Sequence, residues 1–191
     1  MGSFYTNLAL RGPDRDQIIA AVAGLGYCAF VSRSLSGLTM VCEERSDTRD
    51  LGIWRDVAKQ LSRWLQCPAL AVLNHDDDVL LYSLYRGGHL LDEYNSCPDY
   101  WINQDPPALP QGGDAAVLCE AFGMPGDAAE VNRILRATPG DEDRPAENDF
   151  VVAFERHVAL VQALRWPEVD YYAGFDLLKR EAMPTGWVFV G

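Results

Sequence analysis

Apolar side chains along the first hundred positions switch repeatedly between the two-residue period of a strand and the three-to-four-residue period of a helix. Phe4 to Leu10 reads as a strand. Asp14 with Gln17 three residues on forms a capping box, and Ile18, Ile19, Val22 and Leu25 give the helix behind it one apolar stripe until Gly24 and Gly26 stop it. Tyr27 to Arg33 and Leu38 to Glu43 are β-rich runs around the turn residues Ser34, Leu35, Ser36 and Gly37. From about Asp50 to Gln66, Ile53, Trp54, Val57, Leu61, Trp64 and Leu65 recur at helical spacing, and Cys67-Pro68 ends the run. Both tryptophans are expected to anchor this helix on a sheet. Ala69 to Leu73 is continuously apolar, as for a central strand covered on both faces. Val79 to Tyr85 and His89 to Tyr94 flank Gly87-Gly88, whose glycines permit the positive φ of a tight hairpin.

The order βαββαβ followed by ββ predicts an α+β fold with a ferredoxin-like core, an antiparallel sheet covered by helices. Pro98, Pro106, Pro107 and Pro110 then interrupt the chain between Asn95 and Gly113. Beyond them the pattern is mainly helical. Asp114 caps a short helix through Phe122, Asp127 and Glu130 open another to Arg136, and a longer one resumes near Phe150 with Phe150, Phe154, Val158, Val161 and Leu164 as its stripe. A short helix over Gly174 to Glu181 and a strand over Trp187 to Val190, returning to the sheet, complete the expectation. The division is residues 1–103 as a sheet-and-helix half and 104–191 as a mainly helical half, packed together as one compact unit. Residues 137–149 crowd Asp141, Glu142, Asp143, Glu147 and Asp149 into a Pro/Gly-containing stretch, which favours an extended, solvated segment.

Composition narrows the function classes. With 48% hydrophobic residues in 191, the chain has material for a core without staples. No leader-like start and no run of about 18 apolar residues is present, so the expected location is cytoplasmic, with no membrane contact. Five scattered cysteines without a C-x-x-C pair suit reduced thiols, so no metal and no cofactor is expected. Twenty-eight acidic against 16 basic residues leave a formal net charge of −12, and lysine occurs only at Lys59 and Lys179. Such a surface repels phosphate backbones, which argues against nucleic acid; the charge serves solubility, and the sharper alternative is an acidic face for a basic protein partner.

Three segments, DVLLYSLYRGGHLLDEYNSCPDY from Asp78 to Tyr100, GGDAAVLCEAFG from Gly112 to Gly123, and FERH from Phe154 to His157, resemble bacterial proteins of the same layout, a family to which no activity is assigned. The resemblance covers most of residues 69–165 and implies no catalytic residue.

The chemically densest stretch runs from Asp92 to Trp101. There Asp92, Tyr94, Asn95, Ser96, Cys97, Asp99, Tyr100 and Trp101 bring carboxylates, an amide, a hydroxyl, a thiol and aromatics off the end of a strand, and they form the candidate binding site. The alternative is a loop folded back so that its aromatics cover core edges and Asn95 and Ser96 make turn hydrogen bonds. A nucleophilic Cys97 would need His89 or His157 as its base. The carboxylates of His75-Asp76-Asp77-Asp78 lack the spacing of an EF-hand and read as a hydrophilic turn. Glu155 and His157 lie about 200° apart on a helix and cannot grip one metal together. With no complete catalytic motif, the expected function is a non-catalytic acidic protein that binds a basic or amphipathic partner, as an immunity protein does. The alternative is a small-molecule-binding protein or hydrolase with a pocket beside the Tyr94–Trp101 loop.

Overall fold

The computed structural model describes residues 3–48, 50–100, 102, 109–122, 128–138, 153–180 and 183–191. Trp101, Asp127 and the acidic run Asp141–Asp149 lie outside the described residues.

The secondary structure is mixed. Strands β1 (Tyr5–Arg11), β2 (Ala29–Val31), β3 (Leu38–Glu43), β4 (Pro68–His75), β5 (Val79–Arg86), β6 (His89–Asn95), β7 (Gln111–Gly112) and β8 (Val188–Val190) form an open antiparallel sheet in the order β7-β6-β5-β4-β1-β3-β2-β8. That eight-strand order is not a simple four-stranded ferredoxin-like sheet, because β8 adds outside β2 while β5, β6 and β7 add outside β4. The helices are α1 (Arg15–Gly24), α2 (Leu51–Leu65), α3 (Ala115–Ala121), α4 (Ala128–Arg136), α5 (Ala153–Ala163) and α6 (Phe175–Arg180). None of the described helices is long and apolar enough to cross a membrane.

Local chemistry accounts for the boundaries. Asp14 accepts from the Gln17 backbone N–H while the Gln17 side chain accepts from the Asp14 N–H, the reciprocal capping box that starts α1. Asp50 caps α2, and Gln66 ends it in the left-handed conformation. The β5–β6 hairpin turns through Gly87 and Gly88 at φ +58° and +83°.

Contacts divide the chain into two units. One comprises Tyr5–Val72, Ser83–Leu91 and Pro167–Gly191. Its core gathers Leu8, Leu10, Ile18, Met40, Trp54 and Leu61, all fully buried. Here β1 pairs with β3 through Leu8↔Val41, and β8 returns to the sheet beside β2 through Phe30↔Phe189. Asn7 donates to the Tyr171 and Ala173 carbonyls at 2.6 and 3.0 Å, fastening the chain before α6 to β1. Trp54 is buried as expected, but Trp64 is 57% exposed. Ten residues at helical pitch place Trp64 about 80° round the helix from Trp54, at the edge of the buried face formed by Trp54, Val57, Ala58, Leu61 and Ser62.

The other unit comprises Met1–Phe4, Leu73–Tyr82 and Asp92–Trp166. It carries α3, α4 and α5 around Tyr82, Leu118, Phe122 and Leu135, all buried. In α5 the buried face is Ala153, Arg156, His157, Leu160 and Val161. Of the stripe expected from the sequence, Val161 and Leu164 are buried, Phe154 and Val158 stay half-buried, and Phe150 lies outside the described residues. The i, i+3, i+4, i+7 spacing is kept, but a cation and an imidazole occupy it because Arg156 is drawn inward by four acceptors.

Candidate functional site

The segment from Asp92 to Tyr100 lies within one unit. Strand β6 carries its first residues, and the two-residue strand β7 pairs with the end of β6 through Tyr94↔Gly112 and Asn95↔Gln111. Only glycine serves at the crossing point. Gly112 and Gly113 adopt φ +68° and +78°, and Gly113 N–H donates to the Glu93 carbonyl at 2.8 Å.

Asp92 is half-buried and works as a clamp. Its Oδ2 accepts from the Tyr82 hydroxyl at 2.7 Å and from the Asp114 backbone N–H at 2.8 Å, so one carboxylate oxygen fixes β5 to the start of α3. Tyr94 is buried and stacks on Tyr82 with ring centroids 5.3 Å apart. Its hydroxyl donates to the Leu135 carbonyl at 2.8 Å and accepts from Arg156 Nη1 at 2.5 Å. Arg156 also donates to the carbonyls of Ile134, Leu135 and Ala137 at 3.2, 3.0 and 2.8 Å. These are the last carbonyls of α4 and the residue after it, which carry the negative end of the helix dipole and have no partner within the helix. A buried guanidinium therefore caps α4 from the side and joins that cap to Tyr94.

The remaining residues are spent close to home. Asn95 Oδ1 accepts from the Cys97 N–H at 3.0 Å, an Asx turn. Ser96 exchanges bonds with Leu80, donating from its N–H at 3.0 Å and accepting at Oγ at 2.9 Å. Cys97 Sγ lies 3.6 Å from Oδ1 of buried Asp99. Tyr100 donates to Asp78 at 3.0 Å, and its ring meets His75 edge-on at 5.7 Å. Asp77, in the same turn, accepts from Ser3 N–H and Asn74 Nδ2, so two of the three turn carboxylates hold backbone and side chains in place. Trp101 lies outside the described residues.

The electrostatics point one way. Burial, and then the neighbouring Asp99, push the Cys97 thiol above its usual range. His157 is fully buried, which lowers it to about 4 and keeps the imidazole neutral near pH 7. A thiolate–imidazolium pair needs both shifts reversed. Burial also pushes Tyr94 up to about 12 and Tyr82 higher still, with Asp92 adding to the latter, so both phenols stay protonated donors.

Two recesses border this region. An open cleft of ≈ 720 Å³ is walled by Asp92, Gly112, Asp114, Ala128, Asn132 and Arg136 among others. Of the proposed site residues, Asp92 alone lines it among the described residues. Arg136 faces the same cleft but donates to the Gly112 and Gly113 carbonyls at 2.5 and 2.7 Å, closing the cleft's glycine corner. The second recess, ≈ 470 Å³, runs between α4 and α5. No group of three or more potential metal ligands is found among the described residues.

Sequence reasoning missed Tyr82, Arg136 and Arg156. Arg156 left a signal, since it falls at the i+3 position of the face that begins with Ala153.

No protein-family model, curated protein or solved structure matches this chain.

Proposed function

We propose that this chain is a non-catalytic, acidic interaction protein that binds a basic or amphipathic protein partner, a role of the kind an immunity protein plays. The carrying observation is where its polar groups are spent. The densest functional stretch, Asp92 to Tyr100, uses its amide, hydroxyls and carboxylates on turns, caps and clamps, with its thiol and phenols held protonated. A formal charge of −12 remains to act at long range, and it favours encounter with cations while opposing nucleic acid. In this reading the protein works in the cytoplasm without a cofactor.

The core is proposed to be ferredoxin-like, with a mainly helical second half from residue 104. The consecutive strands β4-β1-β3-β2 within the larger order support this. A second reading, a small-molecule pocket, draws on the placement of Asp92 at the ≈ 720 Å³ cleft. That volume lies within the range of ligand sites, although its opening to solvent gives a ligand little enclosure.

Affinity capture from the native host tests the main reading. Bait should retain a basic protein at about 50 mM salt and release it at about 500 mM, where the screening length falls to a few ångströms. Retention of no protein, or of one indifferent to salt, overturns it.

A further inference from the structure

The sheet ends at β8 with part of its backbone unspent. Ser32 N–H donates to the Met40 carbonyl and Glu44 N–H to the Cys28 carbonyl, both at 2.9 Å, so the even-numbered residues of β2 bond to β3. Ala29 and Val31 therefore turn their N–H and C=O groups toward β8, where they face Val190 and Val188. Phe189, between those two, points its own N–H and C=O off the sheet, and among the described residues no strand lies beyond β8.

The side chains at this edge are equally unguarded. From Met183 to Gly191 the chain carries no charged residue, and Met183, Val188 and Phe189 are exposed. The Phe189 ring, 50% exposed, packs on Phe30 at 5.2 Å and on Phe175 at 6.4 Å. Edge strands are ordinarily protected by lysine or proline, and β8 contains neither. Two cations border its start, where Arg15 donates to the Gly186 carbonyl at 2.9 Å and the Arg33 stem lies against Gly186.

An uncharged seam offers a basic partner nothing to pair with, but it lets two chains of net charge −12 meet without like charges opposite each other. We propose that β8 pairs antiparallel with β8 of a second copy about a two-fold axis at Phe189. Each Phe189 N–H then donates to the Phe189 carbonyl of the other copy, and the two rings continue the Phe30–Phe189 row across the seam. Of the three residues of β8 only Phe189 faces outward, so this register alone pairs it within the strand itself. Three residues bury less than the ~800 Å² per partner of a standard interface, so the dimer is weak, with a dissociation constant on the order of tens of micromolar.

Sedimentation velocity of the full chain tests this, from about 1 to about 300 μM at about 150 mM salt. The mass should climb from 21.2 kDa toward twice that. Salt at about 500 mM should tighten the dimer, because it screens the repulsion between two acidic chains. Phe189→Pro removes the outward N–H and no β2–β8 bond, and Phe189→Lys sets like charges across the axis; each should weaken the dimer at least about 10-fold. Leu90→Lys, the same charge change at an equally exposed apolar position on β6, should alter it less than about 2-fold. Circular dichroism checks that the variants fold. A chain monomeric at every concentration overturns the proposal, as does a dimer that survives Phe189→Pro, loosens with salt, or loses as much from Leu90→Lys as from Phe189→Lys. A monomeric chain that binds an extended Val/Lys peptide, and loses it in Phe189→Pro, gives the edge to a partner's strand and overturns the second copy.

Discussion

Two glycines with nearly the same backbone angle separate steric exclusion from conformational preference. Gly26 and Gly112 have φ +69° and +68°. A Cβ added at Gly26 meets nothing within 4 Å, whereas one at Gly112 stands 2.9 Å from the Glu93 carbonyl carbon and closer still to its oxygen. The obstacle is backbone, so no side-chain rotation relieves it. Alanine in the left-handed region costs about 1 kcal/mol relative to glycine, and both variants carry that penalty. At Gly112 the chain must also withdraw from β6, giving up the Gly113-to-Glu93 hydrogen bond and the Tyr94↔Gly112 pairing. At about 1 kcal/mol for each lost backbone bond, Gly112→Ala should destabilise by about 3 kcal/mol against about 1 kcal/mol for Gly26→Ala. Urea unfolding of both variants, with midpoints compared at equal slopes, measures the difference. Equal midpoints would show that β7 is not held against β6 as described, and the clamp around Asp92 and Tyr94 would lose its frame.

Other perturbations probe the network behind β6. Arg156→Lys keeps the charge but reaches fewer of the four acceptors, so it should lower stability by about 2 kcal/mol in denaturant unfolding; an unchanged midpoint contradicts the lateral cap on α4. Tyr94→Phe removes the hydroxyl that donates to Leu135 and accepts from Arg156, with an expected loss of about 1–2 kcal/mol by the same measurement. His157 should make the fold acid-sensitive: its pKa falls from 6.5 to about 4 on burial, so between those values the unfolded chain binds a proton that the folded chain does not. Stability therefore drops as pH falls through that window, by about 3 kcal/mol in all, and His157→Gln should remove this part of the slope. Parallel pH profiles for the two proteins would refute the buried neutral imidazole.

Much of the fold was legible because its signals are local. The capping box at Asp14, the cap at Asp114 and the Gly87-Gly88 turn each act within a few residues, and each marks its element in the structure. Strand β7 was not legible. Two residues among prolines carry no period, and only the pairing with Tyr94 and Asn95 makes them a strand. Helix α5 shows the limit more sharply: the stripe of Phe154 and Val158 was plain, but the inward turn of Arg156 follows the carbonyls of Ile134, Leu135 and Ala137, 19 to 22 residues away in sequence, which no window reads. The Asp92–Tyr100 segment was legible as a polar concentration and as a turn at Asn95. Its long-range bonds to Tyr82, Asp114 and Leu135 were not.

The account turns on the claim that Asp92 to Tyr100 is a structural knot whose thiol is not a nucleophile. Alkylation of Cys97 by iodoacetamide, followed across pH 6 to 10 at the level of the Cys97 peptide by mass spectrometry, tests it directly. The rate should still be rising above the ordinary thiol pKa of about 8.5, because burial and Asp99 both hold the proton on. A plateau reached near neutrality would reveal a stabilised thiolate, and the non-catalytic reading would fall with it.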